Sequence, residues 1–320
     1  MLYPPESLIL APLSGFTDLA YRRAARACGC RYAFTEMVDA ASIVYSPERA
    51  KNFLLRGDDE DFLGVQLVGA DLQWLKQSAL FLNDFHFDVL DLNLGCPVPK
   101  VVKKGAGAAL GRNIELAARA LGAISSVSRF PVTAKFRILD AVDPAPSVEL
   151  ARRLVAEGAT ALTVHGRTRD AFYTGAVSFD VIRAIAGSVK VPVIANGGVS
   201  SCDTAREMRE KSSCSRLMLA QGAMGNPWLF RLISGGEAPT LKEWKQLVIS
   251  HLTGMIALYG ETDAMKMARK ILHDYLRGRG FPASARALAS QVETMRDAEK
   301  LLAQLEITAS TAAPARGFRF

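Results

Sequence analysis

The 320-residue sequence holds five cysteines and four histidines, and neither set is spaced as a framework. The odd cysteine number, the close spacing of Cys28 and Cys30 and the lack of any paired CxxC exclude a disulfide-stapled scaffold and the common zinc sites. Reduced thiols and no metal are expected. No apolar run reaches the roughly 18–20 residues of a membrane helix, and the opening MLYPPESLIL has no basic segment ahead of its short apolar stretch. A soluble, cytoplasmic protein with no membrane partner is the reading. Charged residues are scarce, 22% against 49% apolar, which excludes a mostly disordered chain and provides for a sizeable core. A glycine-rich dinucleotide turn is also missing. Residues 11–18, APLSGFTD, follow the first apolar run without GxGxxG, which argues against a doubly wound open sheet.

What is present is a regular alternation. Short apolar runs bounded by Gly, Pro or polar residues occur at 8–11, 32–35, 62–67, 89–92, 132–136, 161–164, 191–195 and 216–219. Between them lie tracts with helical spacing, such as Leu72, Leu75, Ala79 and Leu82, and Ala-rich stretches near 114–127, 147–157 and 202–211. Eight strand–helix units in about 230 residues predict a TIM (β/α)8 barrel of the α/β class.

The pattern changes near SGGEAPT, residues 234–240, where Thr240 and Glu243 form a capping box and strand signals stop. Apolar residues then advance by three or four: Leu241, Trp244, Val248, Leu252, Met255, Tyr259; Met265, Ala268, Leu272, Tyr275; and Leu288 to Leu305 with one wider gap. The expected organisation is a barrel over 1–235, a C-terminal all-α helical domain over 240–308, and a flexible tail over 309–320. The net charge is +7, and residues 241–320 hold 12 Lys and Arg against 8 Asp and Glu. An anionic partner is therefore favoured.

In a TIM barrel the active site is built from the C-terminal ends of the strands. Those ends deliver Pro12, Leu13 and Ser14; Glu36; Gln66; Asn93 and Cys96; Lys135 and Arg137; His165; Asn196, Gly197 and Gly198; Gln221 and Gly222. The glycine-bearing loops 195–201 and 220–227, each before a helical tract, suit a phosphate or serve simply as turns. Cys96 sits in a Gly-Cys-Pro turn past an apolar strand, with Lys100, Lys103 and Lys104 expected to lower its pKa. Cys28, Cys30, Cys202 and Cys214 read as small buried hydrophobes. The lysines, beside Gly105 and Gly107, suit a polyanion or an ordinary solvated loop. Lys135 interrupts an apolar strand and is expected to face an anion in the barrel mouth, an internal ion pair with Glu36 being the structural alternative.

These residues together resemble the FMN-dependent tRNA-dihydrouridine synthases. The resemblance is carried by LAPLSGFTDLAYR (10–22), TEM (35–37), VQLVG (65–69), DLNLGCPVPKVVKKGAGAAL (91–110), TAKFR (133–137), VHGRT (164–168), VIANGG (193–198) and GAMGNPWLF (222–230), and more loosely by ARKILHDYLRG (268–278). It implies that Pro12, Leu13, Ser14 and Gln66 lie along FMN, that Lys135 stabilises charge on the reduced flavin, and that His165, Asn196, Gly197, Gly198, Gln221 and Gly222 hold the ribityl chain and phosphate. NADPH is the implied reductant, Cys96 the proton donor to C5 of a uracil that receives hydride at C6, and tRNA the partner. Asn93, Lys100, Lys103, Lys104, Arg137 and Lys270 are the substrate-side residues, on a protein expected to be monomeric. Two positions depart from the family pattern: Ala220-Gln221 replaces a usual Gly-Arg, and Gly198 stands where an acidic residue commonly follows Asn-Gly. Three competing readings are an FMN barrel acting on a free pyrimidine, a Schiff-base lyase using Lys135, and a non-catalytic RNA-binding protein.

Overall fold

The structure, a computed structural model, describes residues 2–311, with side chains as far as residue 305. Eight strands form: β1 (Leu8–Leu10), β2 (Tyr32–Asp39), β3 (Leu63–Val68), β4 (Val89–Leu94), β5 (Val132–Arg137), β6 (Ala159–His165), β7 (Val193–Asn196) and β8 (Arg216–Leu219). Each pairs in parallel with its sequence neighbour, and β8 pairs with β1 through Ile9↔Met218, closing the barrel. The expected TIM barrel is therefore the fold, with every strand where an apolar run stands.

These runs are nearly continuous because a parallel strand under helices is buried on both faces. Leu90 and Leu92 are fully buried on one face of β4, worth roughly 1.5–3 kcal/mol each. The other face points into the barrel, and its residues change character along the axis. At one level Ile9, Phe34, Val89, Ala161, Ile194 and Met218 form an apolar cluster with Tyr3 and Ala11. Two residues onward on the same face come Asp91, Thr163 and Asn196, since side chains alternate with period two. The interior thus runs from apolar to polar toward the C-terminal ends.

The helices begin where short polar side chains can bond free N–H groups. Asp71 caps Leu72–Leu82, Asn113 caps Ile114–Ser125, and Ser201 with Thr204 makes a capping box on Cys202–Ser212.

Contacts divide the chain into two units, Met1–Asp18 with Arg31–Gln221 and Leu19–Cys30 with Gly222–Phe320. The division falls at Gln221/Gly222, ahead of the Gly/Pro-rich stretch 234–240, and the second unit takes in the helix Leu19–Ala27. That helix packs on Leu241–Tyr259, where Gly254 allows close approach: a Cβ there would lie 3.1 Å from the Ala20 Cβ. The capping box is formed, Thr240 N donating to Glu243 Oε2 at 2.7 Å and Glu243 N to Thr240 Oγ1 at 3.2 Å. Trp244, His251 and Tyr275 are buried between Leu241–Tyr259 and Glu261–Leu276, with 3.1 Å between His251 Nδ1 and the Tyr275 hydroxyl. The wider gap in the last apolar track, Met295 to Leu302, lies within the helix Met295–Thr311; the break comes earlier, where Ala283–Ala289 ends and that helix starts behind a Thr294–Asp297 cap. Of the expected tail, 309–311 continue this helix, and 312–320 lie outside the described residues.

Candidate active site

Strand register sets the site. Gln66 is opposite Asp91 and Asp91 opposite Thr133; Asn93 is opposite Lys135; Arg137 is opposite His165 and His165 opposite Asn196. The lower members form a buried chain of hydrogen bonds. Asp91 accepts from Thr133 Oγ1 at 2.6 Å and from Gln66 Nε2 at 2.8 Å, while Gln66 Oε1 accepts from Asn93 Nδ2 at 2.8 Å. Asn93 Oδ1 in turn accepts the backbone N–H of Gly95 at 3.0 Å and of Cys96 at 2.9 Å. Burial pushes the Asp91 carboxyl up to about 6 despite these donors and the Lys135 charge. Asp91 and Thr133 were not singled out in the sequence, although an acid inside an apolar strand is the same signal that marked Lys135.

Cys96 is half-buried at the end of this chain. The loop beyond it folds back through the helix Pro99–Val102 and returns at Gly107, where Ala108 N donates to Cys96 O at 3.0 Å. Gly107 has φ +60, and a Cβ there would come within 2.7 Å of Cys96 O. Its glycine therefore serves loop closure over Cys96 rather than approach to a polyanion. The expectation that the loop lysines depress the thiol is corrected: burial holds Cys96 above its ordinary value, offset in part by the Val98 N–H, Lys135 and Arg137. Lys104 is instead paired with Asp39 at 2.7 Å. Lys100 and Lys103 are exposed and make no ion pair among the described residues.

Lys135 is half-buried and likewise lacks an ion pair among the described residues. Burial lowers it to about 8, the neighbouring Arg137 adding to the shift and Asp91 opposing it. The alternative pairing with Glu36 does not form. Glu36 Oε2 accepts from Gly15 N at 2.5 Å, holding the loop that carries half-buried Pro12 and Leu13 and exposed Ser14.

Arg137 is expected among the substrate-side residues. It is buried, donating through Nε to Gly95 O at 3.0 Å and through Nη1 to Thr168 O at 3.0 Å, with its guanidinium 5.3 Å over the Tyr173 ring. It ties the loop after β4 to the loop after β6. His165 is buried and stays neutral, lowered to about 2 by burial and by Lys135, Arg137 and Arg167. Asn196 Nδ2 donates to Met218 O at 2.8 Å, and Gly197 and Gly198 follow with φ +116 and +75. A Cβ on Gly197 would lie 3.2 Å from His165 Nε2, so a side chain would fill this space. Gln221 is exposed at the end of the barrel unit. Gly222 and the exposed Lys270 belong to the second unit.

A thiol, an unpaired lysine and a glycine cradle on one barrel rim form a constellation that can be compared with known proteins. The family model described as dihydrouridine synthase (Dus) matches residues 9–313. The chain belongs to the dihydrouridine synthase family. It is similar to a probable tRNA-dihydrouridine synthase of Rhizobium leguminosarum bv. phaseoli, 33% identical and covering 93% of both chains. It is also similar to tRNA-dihydrouridine synthase B of Shewanella oneidensis, 34% identical over 85% of this chain and 86% of that one, and to a probable synthase of Rickettsia conorii at 37% over 88% and 86%. As a member of this family of oxidoreductases, the protein is an enzyme. A histamine dehydrogenase structure from Rhizobium sp. 4-9 shares the fold with TM-score 0.55 at 12% identity, covering 77% of this chain and 48% of that one.

None of the five cysteines is in a disulfide. Cys28, Cys30 and Cys214 are buried as expected, but Cys202 is exposed, because it occupies the first turn of a surface helix. No group of three or more His, Cys, Asp or Glu among the described residues could hold a metal, and no described helix is long and apolar enough to cross a membrane. Arg167, which no sequence signal marked, has its guanidinium beside the Gly198 turn.

Proposed function

We propose that this enzyme reduces a uridine of tRNA to 5,6-dihydrouridine as a monomeric, cytoplasmic protein, with FMN as bound cofactor and NADPH as reductant. The observation that carries the reading is the half-buried Cys96, fixed through its backbone to Asn93, whose strand neighbour Lys135 has no ion pair among the described residues. The names of the relatives in Rhizobium, Shewanella and Rickettsia support the substrate class.

The residues fit FMN on two grounds. Lys135 is a sequestered cation without a counter-ion of its own, which suits an electron-rich ring edge. The Gly197–Gly198 turn leaves a space that any side chain would occupy, beside neutral His165, and suits a ribityl phosphate. Pro12, Leu13, Ser14 and Gln66 would line the ring, with Gln221 and Gly222 completing the expected set. Bound and reduced, FMN would supply the hydride that reaches C6 of the uracil.

The protein's own residues would do the rest. Cys96 would hold its proton through neutral pH and deliver it to C5, and burial is what keeps that proton available. Asn93 would fix the Cys96 backbone through its 2.9 Å bond, and Arg137 would hold the flanking loops in place. Because the reacting groups lie within a barrel mouth, the uridine would leave its stack to reach them. Lys100, Lys103 and Lys270 would meet phosphates, tRNA being read by shape more than by base edges.

The test uses purified protein. A yellow preparation bleached by NADPH that forms dihydrouridine in unmodified tRNA supports the proposal, and loss of turnover with retained flavin in Cys96→Ala supports the thiol's role. Protein that stays colourless after reconstitution with FMN would overturn it.

A further inference from the structure

The turn after β7 presents donors without acceptors. The backbone N–H groups of Gly197, Gly198 and Val199 make no hydrogen bond among the described residues, although Gly197 and Val199 are buried. Ser200 and Ser201 differ, since both N–H groups donate to Thr204 Oγ1 at 2.9 Å. Buried N–H groups ordinarily find a partner, so a run of three open ones facing a turn at positive φ marks a place for an anion.

A cation stands beside them. Arg167 comes from the loop after β6, and its Nη2 lies 3.6 Å from where a Cβ of Gly198 would be. Only its Nε is engaged, donating to Gly175 O at 2.9 Å, which orients the plane of the guanidinium and leaves both Nη groups without a partner among the described residues. A bare Gly198 keeps the space between guanidinium and turn open. Gln221, two residues past the end of β8, contributes no positive charge to the same rim.

Resting on the FMN reading above, we propose that Arg167 supplies the cation of the cofactor's phosphate site, acting with the N–H groups of Gly197, Gly198 and Val199. The arginine fork suits a phosphate because two parallel N–H donors match two of its oxygens.

FMN and riboflavin differ only by the phosphate, so their ratio of affinities isolates the site. Flavin-stripped protein is titrated with each, and Kd is read from quenching of flavin fluorescence. Arg167→Met is expected to weaken FMN by about 10- to 100-fold, the loss of a charge-assisted bond pair, with riboflavin changed less than about threefold. Arg167→Lys is expected to fall between, and adding Gln221→Arg to Arg167→Met is expected to recover FMN affinity. Equal loss for both flavins, or FMN binding as in the wild type, would overturn the assignment while leaving the FMN reading intact. Weakened tRNA binding with unchanged FMN affinity would overturn it too, placing Arg167 on a nucleic-acid phosphate. Failure of the wild type to bind either flavin would overturn both proposals.

Discussion

Asn93 accepts the backbone N–H of Cys96 at 2.9 Å on the same side chain that donates to Gln66 at 2.8 Å. The thiol's position is thereby linked to a buried network ending at Asp91. Asn93→Ala leaves two loop N–H groups and the Gln66 oxygen without partners, a cost of about 1–3 kcal/mol per buried group. The expected result is a fall in kcat of tenfold or more with flavin content preserved. Turnover equal to the wild type would detach Asn93 from the placement of Cys96.

The alkaline side of the pH profile is assigned to Lys135. Its cation is present below about 8 and lost as pH rises through that value, whereas the Cys96 proton is held by burial beyond the ordinary thiol range. The expected kcat/KM profile therefore turns down near pH 8, and Lys135→Arg, which does not titrate, moves the downturn to higher pH at a reduced maximum. A limb left in place by that variant would belong to another group.

Acid sensitivity is assigned to buried histidines. His251 is lowered to about 3 by burial, so it stays neutral in the fold while the unfolded chain gains a proton below about 6.5. Stability from this group is present above the unfolded value and falls as pH drops, by about 2 kcal/mol between pH 7 and pH 5. His165 acts in the same direction, whereas Asp91, raised to about 6, gains a proton in the fold first and opposes them. His251→Gln, retaining a partner for Tyr275, is expected to flatten the change in denaturation midpoint between these pH values. A midpoint shift identical to the wild type would place the acid sensitivity elsewhere.

The loop lysines separate by their partners. Lys104 is held by Asp39 at 2.7 Å, whereas Lys100 and Lys103 are exposed without ion pairs among the described residues. Lys100→Ala with Lys103→Ala is expected to weaken tRNA binding and to lower the salt slope by about one unit per lost phosphate contact. Lys104→Ala is expected to change the slope less. Filter-binding or fluorescence titrations over a salt series give both numbers, and a larger effect from Lys104 would reverse the ranking.

Much of this protein was legible in its sequence. The eight strands were readable because a strand buried on both faces must be apolar throughout, and the helical tract because one buried stripe enforces spacing of three and four. Polar residues at strand ends marked the rim for the same reason: an apolar run that ends on Gln66, Asn93, Lys135 or His165 has no packing use for them. The Gly-Cys-Pro turn was readable as a place where a thiol stands just past a strand end, and Cys96 is half-buried there.

Tertiary structure alone decided how those residues act on one another. Sequence proximity suggested that three lysines govern Cys96, but a thiol responds to its enclosure and to charges across the barrel, so burial, Lys135 and Arg137 govern it instead. The partners of Asp91 come from β3 and β5, the clamp of Arg137 joins residues 42 and 31 positions apart, and Arg167 meets Gly198 from a different loop. Composition and periodicity record which residues must be buried. Which buried or rim residues touch depends on strand register and closure of the barrel, and those are properties of the folded chain.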